Sequence, residues 1–288
     1  MGSTPKVSFI TTAYNAAPFL AESVTSMLAT DWPDFEIVLV DDGSSDDTAA
    51  IGRDLVAEDG RVRCFELGRR GRSRALNEAI RRARGTYLAI QDADDFTPRH
   101  RLKVCVPILE ADPNLALVAG ATELQRDRGA LRAFATAPPH GDGRHRPVSL
   151  GELYANNFLQ HSSILFRKSA WEACGGYNEA MQQTEDWEFY FRMLSVGGIA
   201  LTDEITALRH VRADTFFKKR SVGAYAAAIL QTRRTAHRLH RIPIAWWPQN
   251  LRILRLVASK LALEYGLTRP PGLVKRADKI AGADGKGA

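Results

Sequence analysis

The sequence has few cysteines and no long apolar run. Its three cysteines, Cys64, Cys105 and Cys174, lie far apart and show no CxxC or metal-ligand spacing. This excludes a disulfide framework and predicts buried thiols in a reducing compartment. No stretch approaches the ~18 consecutive apolar residues of a membrane-spanning helix, and the first residues contain no apolar run of signal-peptide length. We therefore expect a cytoplasmic protein.

Several catalytic signatures are also absent. The sequence contains no Walker motif, GxGxxG, GxSxG, HExxH or zinc-ligand spacing. Their absence argues against P-loop enzymes, dinucleotide dehydrogenases, α/β-hydrolases and zincins. The 288 residues are 45% hydrophobic and 25% charged, which is typical of a globular protein with one large α/β domain or two small ones.

Charge is distributed unevenly along the chain. Residues 209–288 carry 17 Lys and Arg against 4 Asp and Glu, whereas residues 1–208 have a net charge of −7. An acidic body suits metal and sugar chemistry, and a basic tail suits phosphate, anionic lipid or nucleic acid. A solvated helical face explains the basic tail equally well, so both interpretations stay open.

Residues 7–121 alternate between apolar strands and amphipathic helices. We predict strands at 7–12, 35–40, 62–67, 86–90 and 115–121, with helices at 18–28, from 45 or 46 to 58, at 73–83 and from Pro98. Because the strands are apolar on both sides, the pattern predicts a mostly parallel sheet flanked by helices. Ligands of such sheets bind beyond the carboxyl ends of the strands.

The later part of the chain has a less regular pattern. Residues 126–149 are rich in Gly, Pro, Arg and His and predict a long mobile loop, which is often functional. Further predicted elements are a strand at 162–166, a helical turn at 169–174, a helix at 185–195 capped by Thr184, and helices beyond Val222 that Pro243 and Pro248 interrupt.

Two predicted strands end in clustered carboxylates, at residues 41–42 and 92–95. Alternate residues of an extended chain face one side, so Asp92 and Asp94 are expected to point the same way. Carboxylate oxygens at this spacing suit Mg²⁺ or Mn²⁺. The alternative is that Asp95 merely caps the following helix, which explains one acid but not three.

A third acidic pair, Glu185 and Asp186, opens a predicted helix. The helix dipole favours acids at this position, which is a structural explanation. A carboxylate held at the edge of a cleft also suits a general base. Position alone does not separate the two.

Together these segments resemble family 2 glycosyltransferases of the GT-A fold. The opening VSFITTAYNAAPFLAESVTSML is similar to the family's first strand and helix, and VDDGSSDDT to its nucleotide-contacting turn. GRSRALNEAIRRARGTYLAIQDADD resembles the run into the DxD motif, and HSSILFRKSAWEACGGYNEAMQQTEDWEFYFRML the acceptor-side segment with the ED pair. The resemblance covers roughly residues 6–215 and implies a Rossmann-like, mostly parallel sheet flanked by helices.

The resemblance also implies roles for individual residues. Nucleotide binding is implied for Thr12, Ala13, Tyr14, Asn15, Asp42, Arg74, Asn77, Asp92 and Ala93. Metal binding is implied for Asp94, Asp92 and His210, with Asp95 assisting. The surroundings of His210 depart from the family's tyrosine–arginine–x–histidine pattern, and Arg69 and Arg70 stand in a segment where the family commonly has asparagine before the glycine.

On the acceptor side, the resemblance implies that Asp186 is the catalytic base, with Glu185 beside it. His161 and Trp187 are candidate acceptor contacts. For His161, an equally good interpretation is a structural histidine whose hydrogen bonds are made within the fold. The loop at 126–149 and residues 158–163 are expected to shape this site.

The implied function is a metal-dependent inverting glycosyltransferase. It would move a sugar from a nucleotide-sugar donor, with a UDP-sugar as the expected one, to an acceptor hydroxyl, with Mn²⁺ or Mg²⁺ as cofactor. The expected acceptor is a glycan or a lipid-linked molecule in bacterial polysaccharide, glycolipid or glycoconjugate synthesis. The oligomeric state stays open.

Other classes remain as alternatives. A nucleotidyltransferase of the same fold would normally carry glycine and lysine directly after the first strand, where this chain has Thr11 to Asn15. A basic nucleic-acid- or membrane-binding protein without catalysis would explain the tail, but no nucleic-acid-binding motif supports it, so no nucleic-acid partner is expected. A non-catalytic transferase scaffold is disfavoured by the intact acids at 92, 94 and 186.

We predict three regions along the chain. Residues 1–215 form the catalytic domain, with a nucleotide-sugar half at about 1–122 and an acceptor half at about 123–215. Residues 216–270 form a basic amphipathic helical extension, and 271–288 a disordered tail.

Within this extension, tryptophan and aliphatic residues alternate with Arg and Lys between residues 242 and 265. Such a stripe is typical of a helix lying on an anionic membrane, here at the inner face of the cell membrane. The alternative is that it packs on the catalytic domain or on another subunit.

Overall fold

The computed structural model describes residues 5–211 and 222–242. Its strands are β1 (Val7–Ala13), β2 (Phe35–Asp41), β3 (Val62–Glu66), β4 (Tyr87–Ile90), β5 (Leu115–Gln125), β6 (His145–Pro147), β7 (Leu165–Arg167) and β8 (Gly198–His210). Its helices are α1 (Leu20–Leu28), α2 (Thr48–Glu58), α3 (Arg72–Arg82), α4 (Arg101–Ala111), α5 (Arg128–Ala135), α6 (Leu150–Ala155), α7 (Lys168–Cys174), α8 (Glu185–Val196) and α9 (Val222–His240).

All eight strands join one sheet, in the order β3-β2-β1-β4-β7-β5-β8-β6. Strands β1 to β4 pair in parallel, as do β5 and β8. Strand β7 runs antiparallel between β4 and β5, and β6 runs antiparallel along β8. Since β7 opposes both of its neighbours, β5 points the same way as β4. The predicted architecture, a mostly parallel sheet flanked by helices, is confirmed.

The sheet lies between two layers of helices because its strands are apolar on both faces. Along β2, Ile37 and Leu39 join a core cluster with α1, α2 and α4, whereas Val38 and Val40 join a second cluster with α3 and α6–α9. Successive side chains of a strand point to opposite faces, so each strand contributes to both clusters. This double burial explains why β1, β2 and β4 are nearly continuous apolar runs.

Between residues 7 and 121, the predicted strands and helices are present, but several boundaries shift: α2 begins at Thr48 rather than at 45 or 46, and β5 continues past 121 to Gln125. The fourth helix begins at Arg101 rather than at Pro98, because Pro98 belongs to a turn in which the Arg101 N–H donates to the Pro98 carbonyl. Downstream, the predicted strand at 162–166 is shorter. A 3₁₀ turn occupies His161–Ser163, and β7 begins at Leu165.

The prediction of a loop throughout residues 126–149 is wrong, because α5 and β6 lie within it. The carboxylate of Asp127 caps α5 by accepting from the N–H groups of Gly129 and Ala130, at 3.0 and 3.2 Å. Leu131 is fully buried and belongs to a small cluster with Phe96 and Leu208. A side-chain cap and the burial of Leu131 and Ala135 therefore stabilise this short helix.

Strand β8 and helix α6 are elements that the sequence pattern did not predict. Strand β8 runs along β5 with shifts of register, and its last residue, His210, pairs with Gln125. Its long course brings residues 208–210 to the same edge of the sheet as the acidic segment at 92–95. The Phe96 and Leu208 backbones exchange hydrogen bonds there, at 2.8 and 2.9 Å.

The described part of the basic extension is α9. Its residues Ile229 and Ala236 are buried in the same core cluster as α8, so this helix packs on the catalytic domain. The predicted membrane-facing stripe beyond Ile242 and the predicted tail at 271–288 lie outside the described residues. In the parts of the chain that the structure describes, no helix has the length and apolarity needed to span a membrane.

Candidate active site

The carboxyl ends of β1 and β2 form one side of the candidate site. The Asp42 side chain is buried there and accepts hydrogen bonds from the N–H groups of Arg70 and Gly71, at 2.7 and 3.0 Å. It also forms an ion pair with Arg69. The Arg69 guanidinium lies 3.5 Å from the centroid of the half-exposed Tyr14 ring. Asp42 thus holds the loop at 69–71 over the end of the sheet.

Residues 12–15 follow the same edge, as predicted for a nucleotide pocket. The Asn15 N–H donates to Ser44 Oγ at 2.9 Å, and the Asn15 Oδ1 accepts from the Ser45 N–H at 2.9 Å. Asn15 has a φ of 49°, in the left-handed region that asparagine tolerates better than most residues. These bonds fix the turn after β1 against the turn after β2. The base- and ribose-binding roles of this segment stay predictions.

Arg74 and Asn77 lie on α3 and contact the segment 177–179. The buried Asn77 amide donates to the Tyr177 carbonyl at 2.9 Å, and its Oδ1 accepts from the Tyr177 N–H at 2.9 Å. Arg74 Nε donates to Glu179 at 2.9 Å. These bonds tie the nucleotide half to the acceptor half. The predicted contact of both residues with a diphosphate stays a prediction.

The acidic segment after β4 is a turn, not an extended chain. The Asp95 N–H donates to the Asp92 carbonyl at 3.1 Å. The expectation that Asp92 and Asp94 are alternate residues of an extended chain is therefore wrong, because residues 93 and 94 form a turn, and their shared role in metal binding stays a prediction. The Asp95 carboxylate is buried and accepts from Ser162 Oγ at 2.6 Å and from the His210 N–H at 3.2 Å.

Burial, together with the charges of Asp92 and Asp94, raises the pKa of Asp95 well above its ordinary value. Asp95 thus belongs to the framework of the turn, joining it to β8 and to the 3₁₀ turn at His161–Ser163. Asp92 and Asp94 are less buried than Asp95. These two are the carboxylates of the turn that a ligand can approach.

Arg72, at the first position of α3, joins the two acidic segments. Its Nη2 lies 2.5 Å from Asp92 Oδ1, and its Nε lies 3.0 Å from Glu185 Oε1. Burial lowers the pKa of Arg72, but the charges of Asp92 and Glu185 outweigh this effect and raise it above its ordinary value. Burial raises the pKa of Asp92, and the larger combined effect of Arg72 and His161 lowers it.

The predicted base, Asp186, lies at the start of α8 and is partly exposed. Its Oδ1 accepts from the Trp187 N–H at 2.7 Å, and its Oδ2 accepts from Asn157 Nδ2 at 3.1 Å. Its neighbour Glu185 is only 13% exposed at the side chain. Burial raises the pKa of Glu185, the charge of Arg72 opposes this, and the charge of Asp186 adds to it, so the net direction is upward.

The two predicted acceptor contacts, His161 and Trp187, are buried. His161 Nδ1 lies 2.9 Å from Arg72 Nη2, and its Nε2 pairs with the Tyr177 hydroxyl at 2.8 Å. Trp187 is 4% exposed and donates from Nε1 to the Leu153 carbonyl at 2.8 Å. Both side chains lie behind the surface of the site. Their predicted contact with an acceptor stays a prediction.

Metal binding is predicted at the turn, and the donor atoms there fit it. Across residues 5–211 and 222–242, no three His, Cys, Asp or Glu side chains converge as a metal cluster. His210 Nδ1, however, is buried without a hydrogen-bond partner among the described residues, and its backbone contacts the turn. Carboxylate oxygens with one imidazole suit Mn²⁺, and such ions commonly complete their shell with water and substrate phosphates.

Arg72 is a site residue that sequence reasoning missed. A signal for it was present in the sequence, because a cation in the first turn of a helix is opposed by the helix dipole. A side chain in that position needs compensating acids, and here Asp92 and Glu185 provide them. Which acids these are depends on contacts across about 100 residues of chain, which local spacing does not reveal.

The mostly parallel sheet ends in an acidic turn that Arg72 joins to the carboxylate pair at the start of α8, an arrangement that agrees with the predicted GT-A fold. A family model described as glycosyl transferase family 2 matches residues 8–172, more than half of the chain. The chain therefore belongs to glycosyl transferase family 2.

Two relatives show how far the sequence similarity extends. Chondroitin synthase of Escherichia coli is 29% identical over 193 residues, which cover 67% of this chain and 27% of that protein. The chain thus spans about a quarter of the length of this relative. The putative glycosyltransferase EpsE of Bacillus subtilis is 31% identical over 228 residues, which cover 77% of this chain and 78% of that protein.

Two solved structures share the fold. TarS of S. aureus in complex with UDP-GlcNAc has a TM-score of 0.63 at 16% identity, covering 88% of this chain and 80% of that one. The mannosyltransferase PcManGT from Pyrobaculum calidifontis, in complex with GDP-Man and Mn²⁺, has a TM-score of 0.66 at 22% identity, covering 97% and 80%. At these identities the likeness establishes the fold alone.

Proposed function

We propose that this chain transfers a sugar from a nucleotide-sugar donor to an acceptor hydroxyl with inversion at the anomeric carbon. Asp186 is the general base, and the turn at residues 92–95 receives the diphosphate of the donor. A UDP-sugar is the expected donor. The expected acceptor is a glycan or a lipid-linked molecule.

The contact made by Arg72 supports this proposal most directly. A single guanidinium lies 2.5 Å from Asp92 and 3.0 Å from Glu185. Because Asp186 directly follows Glu185, the predicted donor turn and the predicted base belong to one cluster. Sugar transfer requires this proximity, since the base must act on the acceptor next to the bond that breaks.

The proposed step is a single displacement. Asp186 accepts the proton of the acceptor hydroxyl while that oxygen forms a bond to the anomeric carbon. The bond from that carbon to the donor phosphate breaks on the opposite face, and its electron pair leaves with the nucleoside diphosphate. The hydrogen bonds from Asn157 and the Trp187 N–H hold the carboxylate in one orientation.

Negative charge grows on the departing diphosphate, and positive groups near the turn stabilise it. Arg72 is 39% exposed at the side chain, so its guanidinium borders the cleft as well as pairing with Asp92. A fixed cation at the position where charge develops lowers the barrier without reorganising water. A divalent ion held by Asp94, with Asp92 and His210, would supply further charge neutralisation when bound.

The first test is the binding of nucleoside diphosphates by the wild-type chain. UDP, GDP, ADP and CDP are titrated by calorimetry with Mn²⁺, with Mg²⁺ and with EDTA. UDP and GDP are the informative pair, because TarS is in complex with UDP-GlcNAc and PcManGT with GDP-Man. We expect one nucleotide to bind at least tenfold more tightly with metal than with EDTA.

Two variants locate that binding. Asp94→Ala should abolish the effect of the metal, because it removes the approachable carboxylate of the turn. Asp54→Ala is the matched control, since Asp54 is an exposed aspartate on α2, outside the site, and it should bind like wild type. If no nucleotide binds in a metal-dependent way, or if both variants behave alike, the proposed donor site is incorrect.

A further inference from the structure

Two arginines are almost completely buried, and they differ in how their charge is satisfied. Arg101, fully buried under the turn, donates from Nη2 to the carbonyls of Ile90 and Ile164 at 2.9 and 2.8 Å, and from Nη1 to Gln91 at 3.2 Å. Arg233 of α9 is 4% exposed, and none of its three side-chain nitrogens has a hydrogen-bond partner among the described residues. A buried guanidinium without acceptors is costly and calls for an explanation.

Two aromatic rings pack against the guanidinium group of Arg233. Its Cζ lies 3.7 Å from the ring centroid of Tyr154 and 4.9 Å from that of Trp187. Cation–π contact with two aromatic rings stabilises the charge but uses none of its N–H groups. The donors lie in the guanidinium plane, in a fork that matches a carboxylate or a phosphate. Burial lowers the pKa of Arg233, and Tyr154 offsets part of this effect.

The Glu188 carboxylate on α8, which faces α9, already accepts hydrogen bonds from other residues. Glu188 is fully buried, and both of its oxygens accept from Arg192 Nε, at 2.9 and 3.0 Å. One of them also accepts from the Thr235 hydroxyl at 3.0 Å. Glu188 is therefore satisfied by other donors, and no carboxylate among the residues that the structure describes forms an ion pair with Arg233.

Arg233 lies on the acceptor side of the site, close to the base. The ring of Trp187, which it contacts, belongs to the residue that follows Asp186 and whose N–H binds the Asp186 carboxylate. Asn157, which also holds Asp186, is partly exposed and has a side-chain oxygen without a partner among the described residues. Unsatisfied polar atoms thus belong to a residue that contacts the proposed base, Asn157, and to one that contacts its neighbour Trp187, Arg233.

We propose that Arg233 binds an anionic group, a carboxylate or a phosphate, of the acceptor, next to the hydroxyl that Asp186 deprotonates. This inference rests on the proposed function and adds the chemical class of its acceptor. The group enters past Asn157 and takes up the in-plane donors of the guanidinium. Exclusion of water strengthens this pairing, because charged hydrogen bonds are stronger in a low dielectric.

The direct test compares how far anions raise the melting temperature of the wild-type chain and of Arg233→Met. Melting temperatures are measured in EDTA at constant ionic strength, with chloride replaced by inorganic phosphate or by glucuronate, and with glucose as the neutral control. We expect phosphate, glucuronate or both to raise the melting temperature of wild type by about 2–4 °C at several times the dissociation constant. Arg233→Met should lose this rise, and Arg233→Lys should keep part of it.

The two anions distinguish the source of the group. A response to phosphate alone indicates a phosphorylated acceptor, and a response to glucuronate alone indicates an acidic sugar. An equal response of wild type and Arg233→Met overturns the proposal, because the anion then binds elsewhere. So does the absence of any response in wild type.

Stability without ligand gives a second, independent readout. A buried cation without a partner destabilises the ligand-free protein. The melting temperature of Arg233→Met should therefore equal or exceed that of wild type. Arg101→Met is the matched control and should melt several degrees lower, because it removes satisfied hydrogen bonds. If Arg233→Met lowers the melting temperature as much as Arg101→Met does, Arg233 has a structural role and the proposal fails. The nucleotide titration reports the donor site separately, so failure of the proposed function is recognised on its own.

Discussion

Two segments of the proposed site, the loop around Asp42 in the predicted nucleotide half and the surroundings of Asp186 in the predicted acceptor half, differ in how their polar groups are satisfied. In the nucleotide half, the buried Asp42 receives two backbone N–H groups and an arginine from the adjacent loop. In the acceptor half, Asn157 and Arg233 have buried polar atoms without partners among the described residues. A satisfied edge is rigid before its ligand arrives, whereas unsatisfied groups gain their partners on binding. This contrast is what we expect if the proposed donor binds to a preformed edge and the proposed acceptor supplies partners to Asn157 and Arg233.

The largest expected effect comes from removing Asp186, the proposed base of the predicted acceptor half. Asp186→Asn preserves the shape of the side chain but cannot accept a proton, so kcat for transfer should fall by about 10²–10⁴-fold. Nucleotide affinity should change little, because the donor edge is intact. Steady-state kinetics and calorimetry measure the two quantities. Asp203→Asn, at an exposed acid on β8, is the control. A nearly active Asp186→Asn would assign the base elsewhere.

The next largest effect is expected when the contact between the halves, made by Arg72, is removed. Arg72→Met leaves Asp92 and Glu185 without their shared cation, and kcat/KM should fall by about 10–100-fold, the effect of losing one or two charged hydrogen bonds. Arg72→Lys should recover part of the activity. Because Arg72 and Glu185 are in contact, the double variant with Glu185→Gln should lose less than the sum of the single losses. Strict additivity of these losses would mean that the two halves act independently.

A smaller effect, on stability rather than on catalysis, tests how the halves are joined. Asn77→Ala leaves the buried Tyr177 N–H and carbonyl without their partners, which should cost about 1–3 kcal/mol of unfolding free energy. Urea denaturation measures it. Glu78→Gln, on the same helix but in partly exposed pairs with Arg81 and Arg82, should cost less than about 1 kcal/mol. Equal losses in the two variants would show that Asn77 does not join the halves.

The two halves also differed in how well the sequence predicted them. Strands β1, β2 and β4 are largely apolar, and acids follow β2 and β4, so the local pattern was enough to place both the strands and the edge that carries the site. Strand β8 alternates buried and exposed residues irregularly because its pairing with β5 shifts register, and this pattern was not recognised. The role of Arg72 and the turn at Asp92 depend on contacts between distant segments, which spacing does not encode.

The smallest expected effect is on the rate of cysteine modification. The cysteines lie in both halves, so their reactivity reports how tightly each half is packed. Burial raises the pKa of Cys64 to about 11 and that of Cys105 to about 12, and it also raises the pKa of Cys174, in the acceptor half. At pH 8 a thiol of pKa 11 is about one part in a thousand thiolate, the reactive form, so a disulfide reagent should modify the native chain slowly and the unfolded chain fully.

Cys174 is only partly buried, and it should react before the fully buried Cys105. Because the folded pKa values exceed those of the unfolded chain, the native state binds thiol protons more tightly, and stability should fall as the pH rises from about 9 towards these values. Mass spectrometry of the labelled peptides gives the order. Labelling of Cys105 first would mean that the nucleotide half opens more readily than the acceptor half, the reverse of the rigidity argued for its edge.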